Sequence, residues 1–289
     1  MKVSFIGLGI MGRRMAANLL NQQVDLTVYN RSAAPQEDLV ARGARGAATA
    51  AEAVRGADLV FSMLSTPEVV EALFMGSEGL LDSMTPGATW VDCSTVNPSF
   101  SRRAGMAAAA RGIRFLDAPV AGTKPHAENA QLTFFVGGPA ALLGELDFLL
   151  RYMGAKVLHI GEAVGQGAAF KMLVNVMLAQ SMVIFSEAVL LGEKMGLSKD
   201  FLLDALPGLV VAAPFTKFKA EMVRSGQYEV QFPLEWMHKD LHLAAITAYE
   251  HQQPLYLANL AKELFAEATR QGMGRLDFAA IHQHLAHTA

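Results

Sequence analysis

Apolar residues follow two spacings along the first 160 positions. Short, nearly unbroken apolar runs recur at Lys2–Ile6 (KVSFI), Leu26–Tyr29 (LTVY), Leu59–Met63 (LVFSM), Thr89–Asp92 (TWVD), Ile113–Asp117, Leu132–Val136 (LTFFV) and Lys156–Ile160 (KVLHI). Runs of this length suit strands buried on both faces. Between them lie segments of helical character: Met11–Gln22, Gln36–Arg42, Ala48–Arg55, a helix from Pro67 to about Met75, another from Pro98 through Arg111, and one after Pro139. Such alternation predicts an α/β unit, a doubly wound parallel sheet with helices on both faces. From Gly165 onward the strand signal disappears. Helices are expected near Ser198–Ala205, Phe215–Arg224, Leu234–His251, Pro254–Gln271 and Asp277–His287, with Pro207, Pro214, Pro233 and Pro254 among them. The boundary falls near Gly161–Gly165, giving an α/β domain over residues 1–162 and an all-helical domain over 163–289.

The longest helical pattern, Gly165–Gly196, joins the two and is free of proline. Between Phe170 and Leu191 its apolar residues cover most of the circumference, as in a helix buried in a large core or in a membrane. Lys171 and Asn175 interrupt it four residues apart, so both project from one face. A lysine in such surroundings either snorkels to water or is held for a purpose. With Gln180 and Glu187 these two residues weigh against a membrane span.

Composition narrows the function. At 52% hydrophobic residues and a mean hydropathy of +0.26, the 289-residue chain can fill sizeable cores and subunit contacts. A homodimer or homotetramer is expected. The formal net charge of −3 argues against a nucleic-acid partner. Residues 1–56, by contrast, carry seven Lys/Arg against four Asp/Glu, which suits an anionic cofactor. The single cysteine, Cys93, excludes an internal disulfide and fits a reducing compartment. Gly7, Gly9, Gly12, Arg13 and Arg14 break the first apolar run too early for a signal peptide, so the expected location is the cytoplasm.

Gly7-Leu8-Gly9-Ile10-Met11-Gly12 follows a predicted strand and opens a predicted helix, the context that GxGxxG dinucleotide binding requires. Gly7 permits the tight turn, Gly9 lets the backbone approach a pyrophosphate, and Gly12 allows close helix–strand packing. After the second strand, where NAD-preferring folds place Asp or Glu, stand Asn30, Arg31 and Ser32. Arg31 can pair with a 2′-phosphate, with Asn30 and Ser32 donating hydrogen bonds, so NADP(H) is expected over NAD(H). Further cofactor contacts are expected from Leu64, Ser65 and Thr95, in loops that follow strands. The Leu64-Ser65-Thr66 and Ser94-Thr95 stretches read equally well as helix N-caps. His238 and His242 have a metal-binding spacing but lack an evident third ligand, so no metal is expected.

Four stretches, FIGLGIMGRRMAANL at the start, DCSTVNP at 92–98, DAPVAGT at 117–123 and GQGAAFKMLVN at 165–175, resemble the β-hydroxyacid dehydrogenase family over nearly the whole chain. Asn30-Arg31-Ser32, KPHAE at 124–128 and FPLEWMHKD at 232–240 are most similar to its glyoxylate/succinic semialdehyde reductase branch. The resemblance implies a Rossmann-type domain followed by an all-helical one, with the active site in the cleft between them. It implies that Lys171 is catalytic, with Asn175 fixing its ammonium or the substrate. It places Phe232 and Asp240 at the substrate, Lys239 near the cofactor, and the Asp117–Thr123 loop around the substrate carboxylate. In the family this loop carries a serine where this chain has Ala121. Gly122 and Thr123 remain the substrate-binding candidates there, with Lys124 adding positive charge. The implied substrate is a small aldehyde acid or the matching hydroxy acid. Two other readings compete: an imine reductase, which Lys171 argues against, and a non-catalytic dinucleotide-binding scaffold, which the retained Lys171 also argues against and for which Ala121 is the best argument.

Overall fold

The computed structural model describes residues 1–77 and 79–288. The chain divides into two compact units, Met1–Lys171 and Met172–Ala289. The division falls inside the helix Gln166–Lys194, whose first turns pack on the sheet.

In the first unit nine strands form one sheet: β1 (Lys2–Ile6), β2 (Asp25–Tyr29), β3 (Arg45–Gly46), β4 (Leu59–Ser62), β5 (Thr89–Asp92), β6 (Arg114–Asp117), β7 (Val120–Ala121), β8 (Leu132–Gly137) and β9 (Gly154–Gly161). Their order is β3-β2-β1-β4-β5-β6-β8-β7, with β9 on β8. Val3 pairs with Leu26 on one side and with Leu59 on the other, both in parallel register. The order thus reverses between β1 and β4, the place where open α/β sheets bind ligands beyond their strand ends. Strand residues such as Phe5, Val28, Leu59, Phe61 and Trp90 are completely buried, as two helix-covered faces require. Phe74 stacks on Trp90 at 4.1 Å between ring centroids, and Phe115 meets Trp90 edge-on at 4.7 Å.

The sheet is not wholly parallel. β8 runs antiparallel to β6 and β7, and β9 returns parallel to β8. Sequence periodicity misses the two-residue strands β3 and β7 and the short helices Leu80–Ser83 and Lys124–Glu128, each too brief to show a repeat.

The second unit is helical: Lys199–Ala205, Thr216–Ser225, Leu234–Glu250, Tyr256–Arg270 and Ile281–Thr288 pack with the rest of Gln166–Lys194. Its core includes Met182, Val189, Leu234, Met237, Phe265 and Phe278. By length and composition Gln166–Lys194 could cross a membrane, so its polar residues do not exclude a span as expected from sequence. In the structure Ala179, Met182, Phe185 and Val189 on this helix are buried, and Leu173, Met177, Ile184 and Leu191 are at least 60% exposed.

Candidate active site

The glycine-rich turn between β1 and the helix Gly12–Asn21 has the shape a dinucleotide needs. Gly7 adopts φ +94°, and a Cβ there would collide with the Met63 carbonyl and the Leu64 side chain. A Cβ on Gly12 would run into the Gly7 carbonyl, so the helix can start this close to β1 only with glycine. At Gly9 a Cβ would meet nothing within 4 Å: the space above it is open, as approach of a pyrophosphate requires. Met11 is the N-cap and gives no side-chain cap, and no acid stands in the first turn. That combination leaves the helix N-terminus suited to an anion. The helices Ala50–Val54, Pro67–Phe74 and Lys199–Ala205 are instead capped by Thr49, Thr66 and Ser198.

The loop after β2 is tied to this turn by Asn30. Its Oδ1 accepts from Leu8 N–H at 2.9 Å, and its Nδ2 donates to the Ser32 carbonyl at 3.0 Å and to Ser32 Oγ at 2.8 Å. Gln36 Oε1 accepts from Asn30 N–H at 3.1 Å. Both ends of the Asn30 amide are therefore engaged within the protein. Asn30 holds the loop that presents Ser32 and Arg31, a different task from the phosphate donor expected of it. Arg31 is exposed, and no carboxylate among the described residues pairs with it.

The ends of β4 and β5 are joined through buried polar groups. Trp90 Nε1 donates to Ser62 Oγ at 2.8 Å, Ser62 Oγ donates to Asp92 Oδ1 at 2.7 Å, and Ser94 N–H donates to the same oxygen at 3.1 Å. Ser94 Oγ accepts from Leu64 N–H at 2.9 Å, fixing one strand-end loop against the next. Thr66 accepts from Val69 N–H and is a helix N-cap; Ser65 is exposed and Thr95 half-buried. Cys93, between Asp92 and Ser94 in the chain, is fully buried; burial, and next the Asp92 carboxylate, push its thiol well above the ordinary value, so it is an inert packing group.

Asp117, at the end of β6, opens the loop expected around the substrate carboxylate, and its own carboxyl turns to a helix. Its Oδ1 accepts from Gly165 N–H and its Oδ2 from Ala168 N–H, each at 2.7 Å, so one buried carboxylate caps the long helix. A Cβ on Gly137 would collide with Asp117 and Gly167, and one on Gly167 with the Phe135 carbonyl. The helix N-terminus is thus seated directly on β6 and β8. Burial raises the Asp117 carboxyl to about 6, opposed by its backbone N–H bonds. A cap 48 residues away has no local signature in the sequence.

Lys171 follows one turn after this clamp and is 8% exposed; Asn175, four residues on, is 2% exposed. Asn175 Nδ2 donates to Asp240 Oδ2 at 2.5 Å, which fixes the amide's orientation. Its Oδ1 is then buried with no hydrogen-bond partner. Lys239 Nζ lies 2.9 Å from Asp240 Oδ1, an ion pair on the helix Leu234–Glu250. The structure thus joins Asn175, Asp240 and Lys239 within the second unit.

In the Asp117–Thr123 loop, Ala121 ends β7 and Gly122 adopts φ +130°, with a Cβ there meeting Leu132 Cδ2 at 2.8 Å. Thr123 N–H donates to His126 Nδ1 at 3.2 Å, and its hydroxyl lies 3.0 Å from the same nitrogen. Thr123 therefore caps the helix Lys124–Glu128, and both groups that could replace the missing serine hydroxyl are engaged by His126. Phe232 is half-buried, its ring 5.8 Å from that of Phe278. No group of three or more His, Cys, Asp or Glu among the described residues could hold a metal. His238 is held below the ordinary imidazole range by burial and by His242.

Comparison with known proteins shows the family. Residues 2–161 match the NAD binding domain of 6-phosphogluconate dehydrogenase, and residues 165–285 the NAD-binding domain of NADP-dependent 3-hydroxyisobutyrate dehydrogenase. The chain belongs to the β-hydroxyacid dehydrogenase family. Glyoxylate/succinic semialdehyde reductase 1 of Arabidopsis thaliana is 34% identical over 97% of each chain. An NAD-dependent L-serine dehydrogenase of Pseudomonas aeruginosa is 35% identical over 98% of this chain and 97% of its own. The solved 3-hydroxyisobutyrate dehydrogenase of Mycobacterium tuberculosis, with L-serine, superposes with a TM-score of 0.88 at 29% identity, covering 98% of each chain. As a family member the protein is an oxidoreductase acting on CH–OH groups with a nicotinamide cofactor. Imine reductases, such as that of Streptomyces aurantiacus at 24% identity and a TM-score of 0.65, share its fold alone.

Proposed function

We propose that this dehydrogenase is an NADP(H)-dependent reductase of small aldehydes bearing a carboxylate, such as glyoxylate or succinic semialdehyde, and that it oxidises the matching hydroxy acid in reverse. The observation that carries the reading is the buried Lys171, placed one turn after the Asp117 clamp and one turn before a buried, oriented Asn175. A bound nicotinamide cofactor would supply the hydride. Its arrival at the aldehyde carbon leaves an alkoxide, which needs a positive charge and a proton at that moment. Lys171 Nζ supplies both, donating its proton to the alkoxide oxygen. The Asn175 carbonyl orients that ammonium or the substrate, and Asp240 and Phe232 shape the substrate pocket, with Lys239 beside the cofactor. A substrate carboxylate is held by the Gly122–Thr123 backbone, where it competes with His126 for the Thr123 N–H.

Gly7, Gly9 and Gly12 would cradle the cofactor's pyrophosphate, with the backbone of Leu8, Ile10 and Met11 beside it and Leu64, Ser65 and Thr95 at neighbouring strand ends as further contacts. Arg31 carries the preference for NADP(H): with Ser32 it faces outward from a loop with no carboxylate to repel a 2′-phosphate. The exposed apolar residues of Gln166–Lys194 support a homodimer or homotetramer, and the one buried thiol suits the reducing cytoplasm.

The test is oxidation of NADPH and of NADH with a panel of short aldehyde acids. Turnover with glyoxylate or succinic semialdehyde, faster with NADPH, is expected. A scaffold reading draws on Ala121; absence of turnover with the whole panel in a protein that still binds NADPH would favour it.

A further inference from the structure

The second unit contains a buried ion pair that the chemistry above does not use. Lys219, on the helix Thr216–Ser225, and Asp277, ahead of a 3-10 turn at Phe278–Ala280, are 3% and 0% exposed. Lys219 Nζ donates to Asp277 Oδ1 at 2.8 Å and stands 4.7 Å from the Phe278 ring centroid. Burial lowers the Lys219 ammonium from its ordinary value, and Asp277 opposes this. A buried pair of this kind gives little net stability compared with well-packed apolar residues, so its presence calls for another reason.

The rest of the Asp277 carboxylate supplies one. Oδ2 accepts from the N–H groups of both Gln231 and Phe232 at 3.1 Å, and Oδ1 also accepts from Ala279 N–H at 3.0 Å. Phe278 N–H donates back to the Phe232 carbonyl at 2.9 Å, and Pro233 bridges Asp277 in antiparallel fashion. The Phe232 ring, its carbonyl and its N–H are therefore each referenced to Asp277–Phe278. Pro233, which follows, opens the helix Leu234–Glu250 that carries Lys239 and Asp240. A loop residue would otherwise be free to rotate; here its backbone is bonded on both sides to one buried carboxylate and its neighbour.

We propose that the Lys219–Asp277 pair is a positioning device for Phe232, so that two side chains without contact to substrate set the enzyme's KM. This rests on the reading of Phe232 as a substrate residue. The experiment measures kcat, KM for the preferred aldehyde acid, NADPH affinity and melting temperature for Asp277→Asn, Lys219→Met, Lys219→Arg, Phe232→Ala and the Asp277→Asn/Phe232→Ala double variant. Asp277→Asn and Lys219→Met are expected to raise KM about tenfold with kcat within about twofold and NADPH affinity unchanged. Lys219→Arg, which keeps the charge, should largely retain the wild-type KM. In the double variant Asp277→Asn should add nothing to the effect of Phe232→Ala, because it acts through that residue. If Asp277→Asn does not fold, Lys219→Met combined with Phe232→Ala makes the same comparison. Multiplying effects, or a parallel fall in kcat and NADPH affinity, would overturn the inference. So would an unchanged KM in Asp277→Asn while Phe232→Ala raises it. Phe232→Ala leaving KM unchanged would instead overturn the substrate reading, and the inference with it.

Discussion

Arg31 and Asn175 show how much a single side chain can carry. Arg31→Ala is expected to weaken NADPH use and leave NADH use nearly unchanged, lowering the NADPH:NADH ratio of kcat/KM by roughly 10- to 100-fold, the value of one charge-assisted pair. Steady-state kinetics with both cofactors checks this; an unchanged ratio would remove Arg31 from the account. Asn175→Ala strips Asp240 Oδ2 of its buried donor. A melting temperature lowered by the equivalent of about 1–3 kcal/mol is expected, together with a kcat loss that exceeds any change in NADPH affinity. That Lys171 and Asn175 share one helical face was legible in sequence because two polar residues four apart interrupt an apolar helix; that both are buried was not. Asn30 was legible by position, but its task was not. An amide after a strand can face a phosphate or its own loop, and only the bonds to Leu8 and Ser32 decide between them.

The helix Gln166–Lys194 and its seat illustrate what periodicity can and cannot reveal. Its existence and length followed from pattern, as did the strands from β1 to β6 apart from the two-residue β3. The antiparallel turn of β7 and β8 did not, since Val120–Ala121 is too short for any repeat to appear. Nor did the cap on the helix. Asp117 keeps its proton up to about pH 6 in the folded protein, whereas the unfolded carboxyl releases it near 3.8. Between those values the native state binds more protons, so this group's contribution to stability falls as pH rises, by about 3 kcal/mol in total. Asp117→Asn cannot titrate. Its stability relative to wild type is therefore expected to increase by up to that amount between pH 4 and pH 6.5, with denaturant unfolding as the measurement. A pH-independent difference would place the Asp117 proton elsewhere.

For the whole protein, the division into an α/β and a helical unit was readable because strands stop near Gly161. The seating of the helix's first turns on the sheet was not, because it rests on contacts between residues far apart in sequence. The same helix leaves Leu173, Met177, Ile184 and Leu191 exposed, all on one helical face by their spacing of four and seven. Leu173, Met177 and their neighbours are expected to lie between subunits. Analytical ultracentrifugation should give a dimer or tetramer, and Ile184→Glu with Leu191→Glu should shift it toward monomer. A monomeric wild type at micromolar concentration would contradict this. Recovery of the wild-type protein with membranes would point to the other use of an apolar helix of this length.

In the proposed reaction Lys171 supplies the proton when hydride reaches the aldehyde. The most direct test of that role is the rate of NADPH oxidation by saturating aldehyde acid in wild type and Lys171→Ala, with NADPH affinity measured on both proteins. A kcat lower by roughly 10²- to 10⁴-fold is expected for the variant, the value of a lost general acid, with NADPH bound as tightly as by wild type. Equal rates in the two proteins would contradict the account.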